Sequence, residues 1–140
     1  MMTAVLDTNV LASGFLIQSS VPAQLLGLWP TGSFQLVTSG HIITELEHTL
    51  QTNYFRVRLT PDQITRAINL LRNEATITPI TAEVQGVATH PEDDLILATA
   101  ISAQADYLVT GDTKLQHLGT YTGVTILSPR EFLDLLVTQQ

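Results

Sequence analysis

The sequence predicts an α/β domain: a three-layer α/β/α sandwich whose central, Rossmann-like parallel sheet has about five strands. Three observations predict it. Short runs rich in β-branched residues alternate with longer helical stretches along the whole chain, the signature of βαβ units and a parallel sheet covered on both faces. Helix-start signals stand between those runs, at Thr60-Pro61-Asp62-Gln63, Pro91 and Ser128-Pro129-Arg130-Glu131. The 140 residues carry 44% apolar side chains and no repeat or long linker, so residues 1–140 are expected to form one domain around one core.

Thr3 to Leu6 reads as the first strand, ending in the acid Asp7. Asn9 to Ile17 and Pro22 to Leu28 read as helices, the second with Pro22 suited to a first turn. Phe34 to Thr38 is the second strand. Gly40 to Gln51 is a helix with Ile42, Ile43, Leu46 and Leu50 along one side. Thr60, Pro61 and Gln63 form a capping box for a helix reaching about Asn73, with Ile64, Ala67, Ile68 and Leu71 on one face. Thr76 to Ile80 is the third strand, Pro91 to Gln104 a helix, and Asp106 to Thr110 the fourth strand. A short helix covers Asp112 to Leu118, and Val124 to Leu127 is the fifth strand. Ser128 to Glu131 is a second capping box, opening a C-terminal helix with Phe132, Leu135 and Leu136 inward.

Composition removes several classes of function. Without cysteine there are no disulfides, thiolate metal sites or cysteine nucleophiles. No apolar stretch approaches the roughly 20 residues of a membrane span, and Met1 to Asp7 has neither a basic segment nor a cleavable apolar one, so no signal peptide is expected. A cytoplasmic location fits both facts. There is no GxGxxG, no Walker A loop and no GxSxG elbow, and Ser13 and Ser39 have no evident triad partners. Thirteen acids against six Lys and Arg give a net charge of −7, where nucleic-acid-binding domains are usually basic. Bound divalent cations would offset part of that charge.

Four acids carry the chemistry. Asp7 follows the first strand, Glu45 lies one to two turns into the helix after the second, Asp93 is in the first turn of the helix before the fourth, and Asp112 follows the fourth by a Thr-Gly turn. In an open α/β sheet the strand C-termini share one edge, where ligands bind. Taken singly, each acid has an ordinary reading. Asp7 and Asp112 suit helix caps and turns. Asp93, Glu92 and Asp94 suit the helix dipole, and Glu45 or Glu47 a solvated face. Taken together, four carboxylates on one edge repel unless a cation lies among them, and carboxylate oxygens with water suit Mg²⁺ or Mn²⁺ rather than zinc. His41, His48, His90 and His117 form no helical HxxxH pair and read as surface or supporting groups.

The runs Leu6-Asp7-Thr8-Asn9-Val10-Leu11, Thr44-Glu45-Leu46, Pro91-Glu92-Asp93-Asp94-Leu95-Ile96-Leu97-Ala98-Thr99-Ala100 and Ala105-Asp106-Tyr107-Leu108-Val109-Thr110-Gly111-Asp112 resemble the PIN-domain nucleases. More narrowly they resemble the VapC-like branch of toxin components of toxin–antitoxin systems. Order and spacing match across nearly the whole chain, including Tyr54 to Thr60 between the second and third motifs. Each motif is weak alone; four in order are fairly specific. The resemblance implies an endoribonuclease that uses one or two Mg²⁺ or Mn²⁺ ions. Asp7, Glu45, Asp93 and Asp112 would be its catalytic and metal-binding acids. Asn9, Thr110 and Asp94 would support the site, with Asp93 rather than Asp94 the primary acid of the doublet. It also implies a small antitoxin partner and a homodimer.

The chemistry expected is metal-assisted phosphodiester hydrolysis of RNA. Arg56, Arg58 and Lys114 are candidate phosphate contacts, and Tyr54 or Phe55 stacking partners, although aromatics are as often core. Two rivals stand beside it. A PIN-fold module that binds RNA or protein with weak or no turnover suits the acidic balance. An aspartyl-nucleophile phosphatase would use Asp7, but it wants a second acid where Asn9 stands, and Lys114 is the only lysine.

Overall fold

The computed structural model describes residues 1–138. Six strands form one sheet in the order β3-β2-β1-β4-β6-β5. β1 (Thr3–Leu6) pairs in parallel with β2 (Gln35–Thr38) on one side and β4 (Tyr107–Val109) on the other. β3 (Thr76–Ile77) adds to β2, and β6 (Val124–Leu127) to β4, both parallel. The helices are α1 (Thr8–Leu16), α2 (Val21–Leu28), α3 (Gly40–Leu50), α4 (Asn53–Arg56), α5 (Pro61–Glu74), α6 (Pro91–Ser102), α7 (Thr113–Gln116) and α8 (Pro129–Thr138). They cover the sheet on both sides, giving the expected α/β/α sandwich.

The core follows from the strand composition. Ala4, Val5 and Leu6 of β1 and Leu108 and Val109 of β4 are buried without alternation, as expected of central parallel strands with helices over both faces. α6 packs across β1, β2 and β4 through Ile96, Leu97 and Ala100. At the far end Phe34 meets Phe132 of α8 edge-on, with ring centroids 5.2 Å apart, and Tyr107 lies 5.6 Å from the same ring. α1 and α2 approach so closely that a Cβ on Gly14 would lie 2.6 Å from Leu26 Cδ1. These two helices meet at a 92° bend, and among the described residues no single helix is long and apolar enough to cross a membrane.

Both capping boxes form. Thr60 accepts from the Gln63 N–H while Gln63 accepts from the Thr60 N–H. Ser128 and Glu131 make the same exchange. The structure departs from expectation at four places. The third strand is two residues, not five, because Pro79 has no N–H to donate and both strand residues are exposed at the sheet edge. A short edge strand, β5 (Thr120–Tyr121), pairs antiparallel with β6 through Thr122 and Gly123. Both of those residues have positive φ (49° and 82°), the two-residue hairpin geometry. Residues after α3 form the extra turn α4. In α8 the buried face is Phe132, Leu133 and Leu136, with Leu135 half-buried.

Candidate functional site

From β1 the chain adds β2 and β3 outward on one side, then returns to place β4 and β6 on the other. The order therefore reverses between β1 and β4, and a crevice opens beyond their C-terminal ends. Asp7 immediately follows β1, and Thr110, Gly111 and Asp112 immediately follow β4. The Asp7 N–H still donates to Val109 O at 3.0 Å, so the ladder locks these two segments side by side.

Asp7 is both cap and site residue. Its Oδ1 accepts the Val10 N–H at 2.8 Å, capping α1, while Oδ2 accepts the Thr110 hydroxyl. It is 6% exposed. Burial pushes its carboxyl above the ordinary value of 3.8, against the lowering effect of hydrogen bonds from Thr110, Val10 and Gly111, and the charge of Glu45 adds to the rise. Glu45, half-buried on α3, accepts the Thr8 hydroxyl and has His41 Nε2 at 3.9 Å from its other oxygen. Asp112 caps α7 through the N–H groups of Lys114 (2.8 Å) and Leu115 (3.2 Å). It also accepts the hydroxyl and N–H of Thr89, at 3.1 and 3.3 Å. Burial alone would raise its pKa, but the donors from Leu115, Thr89 and Lys114 together hold it below 3.8.

Among the described residues Asp93 is the acid to which nothing donates; it is half-buried in the first turn of α6. Its carboxyl is pushed up to about 6, first by burial and then by the charges of Asp7, Asp112 and Glu45, with His90 opposing. Asp93 thus feels the charges of the other three sequence-predicted acids. Among the described residues no lysine or arginine side chain donates to any of the four.

The other expected residues divide. Thr110 joins two acids, since its hydroxyl donates to Asp7 and accepts the Asp112 N–H at 3.0 Å. Asp94 is buried, with its carboxylate taken up by the N–H groups of Gly86, Val87 and Ala88. Asn9 is exposed at the start of α1, and its side chain makes no hydrogen bond among the described residues. Lys114 stands beside Asp112 on α7 with Nζ 3.4 Å from Ala88 O. Arg58 folds back on α4, its guanidinium 3.9 Å from the Tyr54 ring and Nη1 2.7 Å from Tyr54 O. Arg56 is exposed. Tyr54 is 54% exposed while Phe55 packs against the core.

Sequence reasoning missed Thr8 and Thr89. Thr8 carried a faint signal, as the residue after Asp7. Thr89 carried none, lying in an irregular stretch whose contact with Asp112 spans 23 positions. A hollow of about 550 Å³ between Thr89, Pro91, Asp94 and Lys114 flanks the acids. A cavity of about 490 Å³ at the opposite edge, among Met1, Trp29, Phe34 and Leu70, takes no part in this chemistry.

The donor set is all oxygen, acidic and self-repelling, which suits Mg²⁺ or Mn²⁺. The placement is looser than a finished coordination sphere: among the described residues, no group of three or more His, Asp or Glu side chains is positioned to hold a metal ion. The chemistry of the set fits a divalent cation, and cation binding would have to draw the carboxylates together.

The sequence matches the PIN-domain family over residues 3–114. No curated protein matches the chain. Among solved structures the fold is similar to VapBC2 from Rickettsia felis, bound to a DNA fragment from their promoter (17% identity, TM-score 0.63, covering 89% of this chain and 97% of that one). It is similar to VapBC-1 from nontypeable Haemophilus influenzae (21%, 0.61, 92% and 99%). It is also similar to VapC20 of Mycobacterium tuberculosis, a Sarcin-Ricin loop cleaving toxin (13%, 0.60, 85% and 97%).

Proposed function

The chain belongs to the PIN-domain family, and on that premise we propose that it is a metal-dependent endoribonuclease, the toxin component of a toxin–antitoxin pair. The observation that carries this reading is the meeting of acids at one edge of the sheet: Thr110 joins Asp7 to Asp112, and Asp93 lies within reach of their charges and that of Glu45. The Asp93 carboxyl is raised to about 6 by burial and by the charges of Asp7, Asp112 and Glu45, and among the described residues no lysine or arginine side chain donates to these acids. A site that costs this much electrostatically is the kind that enzymes keep for function.

Asp7, Glu45, Asp93 and Asp112 are the residues that would hold Mg²⁺ or Mn²⁺. When bound, the ion supplies positive charge at the scissile phosphate and acidity to the attacking water. The chain's own contribution is to orient. Thr110 and the Val10 N–H fix both Asp7 oxygens, Thr8 fixes one oxygen of Glu45, and Thr89 with the start of α7 fixes Asp112. Asp93 has no such partner among the described residues. Lys114, beside Asp112, is the basic side chain we assign first to a phosphate, with Arg56 and Arg58, on and after α4, as further phosphate contacts.

The likeness to VapBC structures and to a Sarcin-Ricin loop cleaving toxin supports RNA as substrate and a small antitoxin as partner. A homodimer and a cytoplasmic setting complete the proposal. The test is Mn²⁺-dependent cleavage of single-stranded RNA by the wild type and by Asp7→Asn; equal activity in the two sinks the assignment.

A second reading, a PIN-fold module that binds RNA or protein with weak or no turnover, is favoured by the net charge of −7, since nucleic-acid-cutting domains are usually basic. Mn²⁺ binding without cleavage of any RNA would select it.

A further inference from the structure

Asp93 and Asp94 are neighbours with opposite surroundings. Asp93 is half-buried within reach of the charges of the other acids, whereas Asp94 is buried, 5% exposed, and turned into the irregular segment that leads to α6. Its Oδ1 accepts the N–H groups of Val87 (3.1 Å) and Ala88 (2.6 Å), and its Oδ2 accepts that of Gly86 (2.9 Å). Hydrogen bonds to an ionised acceptor are roughly twice as strong as neutral ones. Three of them on one carboxylate pin residues 86–88, which have no ladder or helix to hold them. Gly86 makes the wrap possible with φ of 70°.

The pinned segment delivers Thr89. Thr89 donates its hydroxyl to Asp112 Oδ1 and its N–H to Asp112 Oδ2. The two α7 donors, from Lys114 and Leu115, both go to Oδ1. Among the described residues, the Thr89 N–H is therefore the one donor on Oδ2, and it sets the rotation of that carboxylate. Lys114 Nζ, 3.4 Å from Ala88 O, ties the same segment to α7.

We propose that Asp94 is a positioning residue for the acidic site, which acts through the backbone of residues 86–88 and Thr89 to orient the carboxylate of Asp112. The consequence for metal binding rests on the nuclease reading above; the relay itself does not. The doublet then divides its labour, with Asp93 available to a cation and Asp94 committed to the backbone.

The experiment compares wild type, Asp93→Asn, Asp94→Asn, Asp94→Leu, Thr89→Val and the Asp94→Leu/Thr89→Val double variant by backbone amide exchange, by titration with Mn²⁺ alone, and by RNA cleavage at rising Mn²⁺. An asparagine keeps one oxygen for Val87 and Ala88 and loses the Gly86 bond, so Asp94→Asn is expected to free Gly86 alone. Asp94→Leu is expected to speed exchange from Gly86 through Thr89 and to weaken Mn²⁺ binding about tenfold or more, the usual size for supporting partners of metal ligands. Saturating Mn²⁺ should restore its cleavage. Thr89→Val removes the hydroxyl bond to Oδ1 but keeps the N–H on Oδ2, so it should weaken Mn²⁺ binding less than Asp94→Leu and should not free residues 86–88. The double variant should bind no more weakly than Asp94→Leu, and additive losses would count against the relay.

Asp94→Asn as damaging as Asp93→Asn would overturn the relay, since that is how a ligand behaves. So would wild-type Mn²⁺ affinity in a variant whose residues 86–89 exchange freely. If the wild type binds no Mn²⁺, the nuclease reading fails on its own, and unchanged Thr89 exchange in Asp94→Leu then overturns the relay separately. Should Asp94→Leu not fold, Asp94→Asn decides the matter: faster exchange at Gly86 with near-wild-type Mn²⁺ affinity supports the relay, and unchanged exchange at Gly86 overturns it.

Discussion

The hydroxyl of Thr110 donates to the carboxylate of Asp7, joining the residue after β4 to the residue after β1 across the point where the strand order reverses. The same oxygen accepts the Asp112 N–H, so one side chain holds two acids in register. Thr110→Val keeps the shape and removes both bonds. It is expected to lower Mn²⁺ affinity by about 10- to 100-fold and to cost about 1–3 kcal/mol of stability through the unpaired Asp7 oxygen. Thr110→Ser should retain most of both. Calorimetric Mn²⁺ titration beside chemical denaturation checks it, and a valine variant with wild-type affinity would remove Thr110 from the site.

Asp93 gives a pH prediction of definite sign. Its carboxyl holds a proton up to about 6 in the folded chain but only to about 3.8 when unfolded. The stability that this proton contributes is fully present below 3.8 and lost as pH rises through about 6. Metal-free Asp93→Asn, which cannot ionise, should therefore melt with the wild type near pH 3.5 and above it near pH 7.5. A melting difference that ignores pH would contradict the crowding of acids inferred here.

Mn²⁺ should reverse that order for the wild type. At 100 times its dissociation constant, a ligand bound to the folded chain alone stabilises by about 2.7 kcal/mol. The wild type should gain this much and Asp7→Asn little, as read by thermal melting with and without Mn²⁺. An equal gain in both places the cation elsewhere.

The β5–β6 hairpin predicts a stabilising change far from the acids. Thr122 sits at φ 49°, a conformation unfavourable for a β-branched residue by about 1–2 kcal/mol. Thr122→Asn creates the Asn-Gly pair that this turn prefers, and should raise the unfolding free energy by about 1 kcal/mol with cleavage unchanged.

The capping box of α5 should behave in the opposite sense. Thr60→Ala removes the acceptor for the Gln63 N–H, 3.1 Å away, and is expected to cost about 1 kcal/mol. Denaturant unfolding with an unchanged slope would attribute the loss to the native state.

Much of the fold was legible because its signals are local. β1 and the helices α2, α3, α5 and α6 start or end within about a residue or two of where the sequence places them, since caps, prolines and apolar periodicity act within a turn or two. The short edges were not legible. β3 and β5 are two residues each, too short for a period, and exist because a neighbouring strand offers free bonding groups. The acids Asp7, Glu45, Asp93 and Asp112 were legible as positions, because strand ends announce themselves. Their partners were less so: Thr110 through resemblance, Thr8 faintly, Thr89 not at all.

The sequence by itself determined the alternating elements, the parallel sheet that alternation requires, and the sheet edge to which four acids were assigned. Only the tertiary structure decided what each acid does there. Asp7 and Asp112 turned out to cap helices and face the crevice at once, and of two adjacent aspartates one turned to the acids and the other to backbone N–H groups. The reason is physical. Capping and periodicity depend on neighbours along the chain, whereas desolvation, mutual repulsion and the choice of hydrogen-bond donor depend on groups brought together across it.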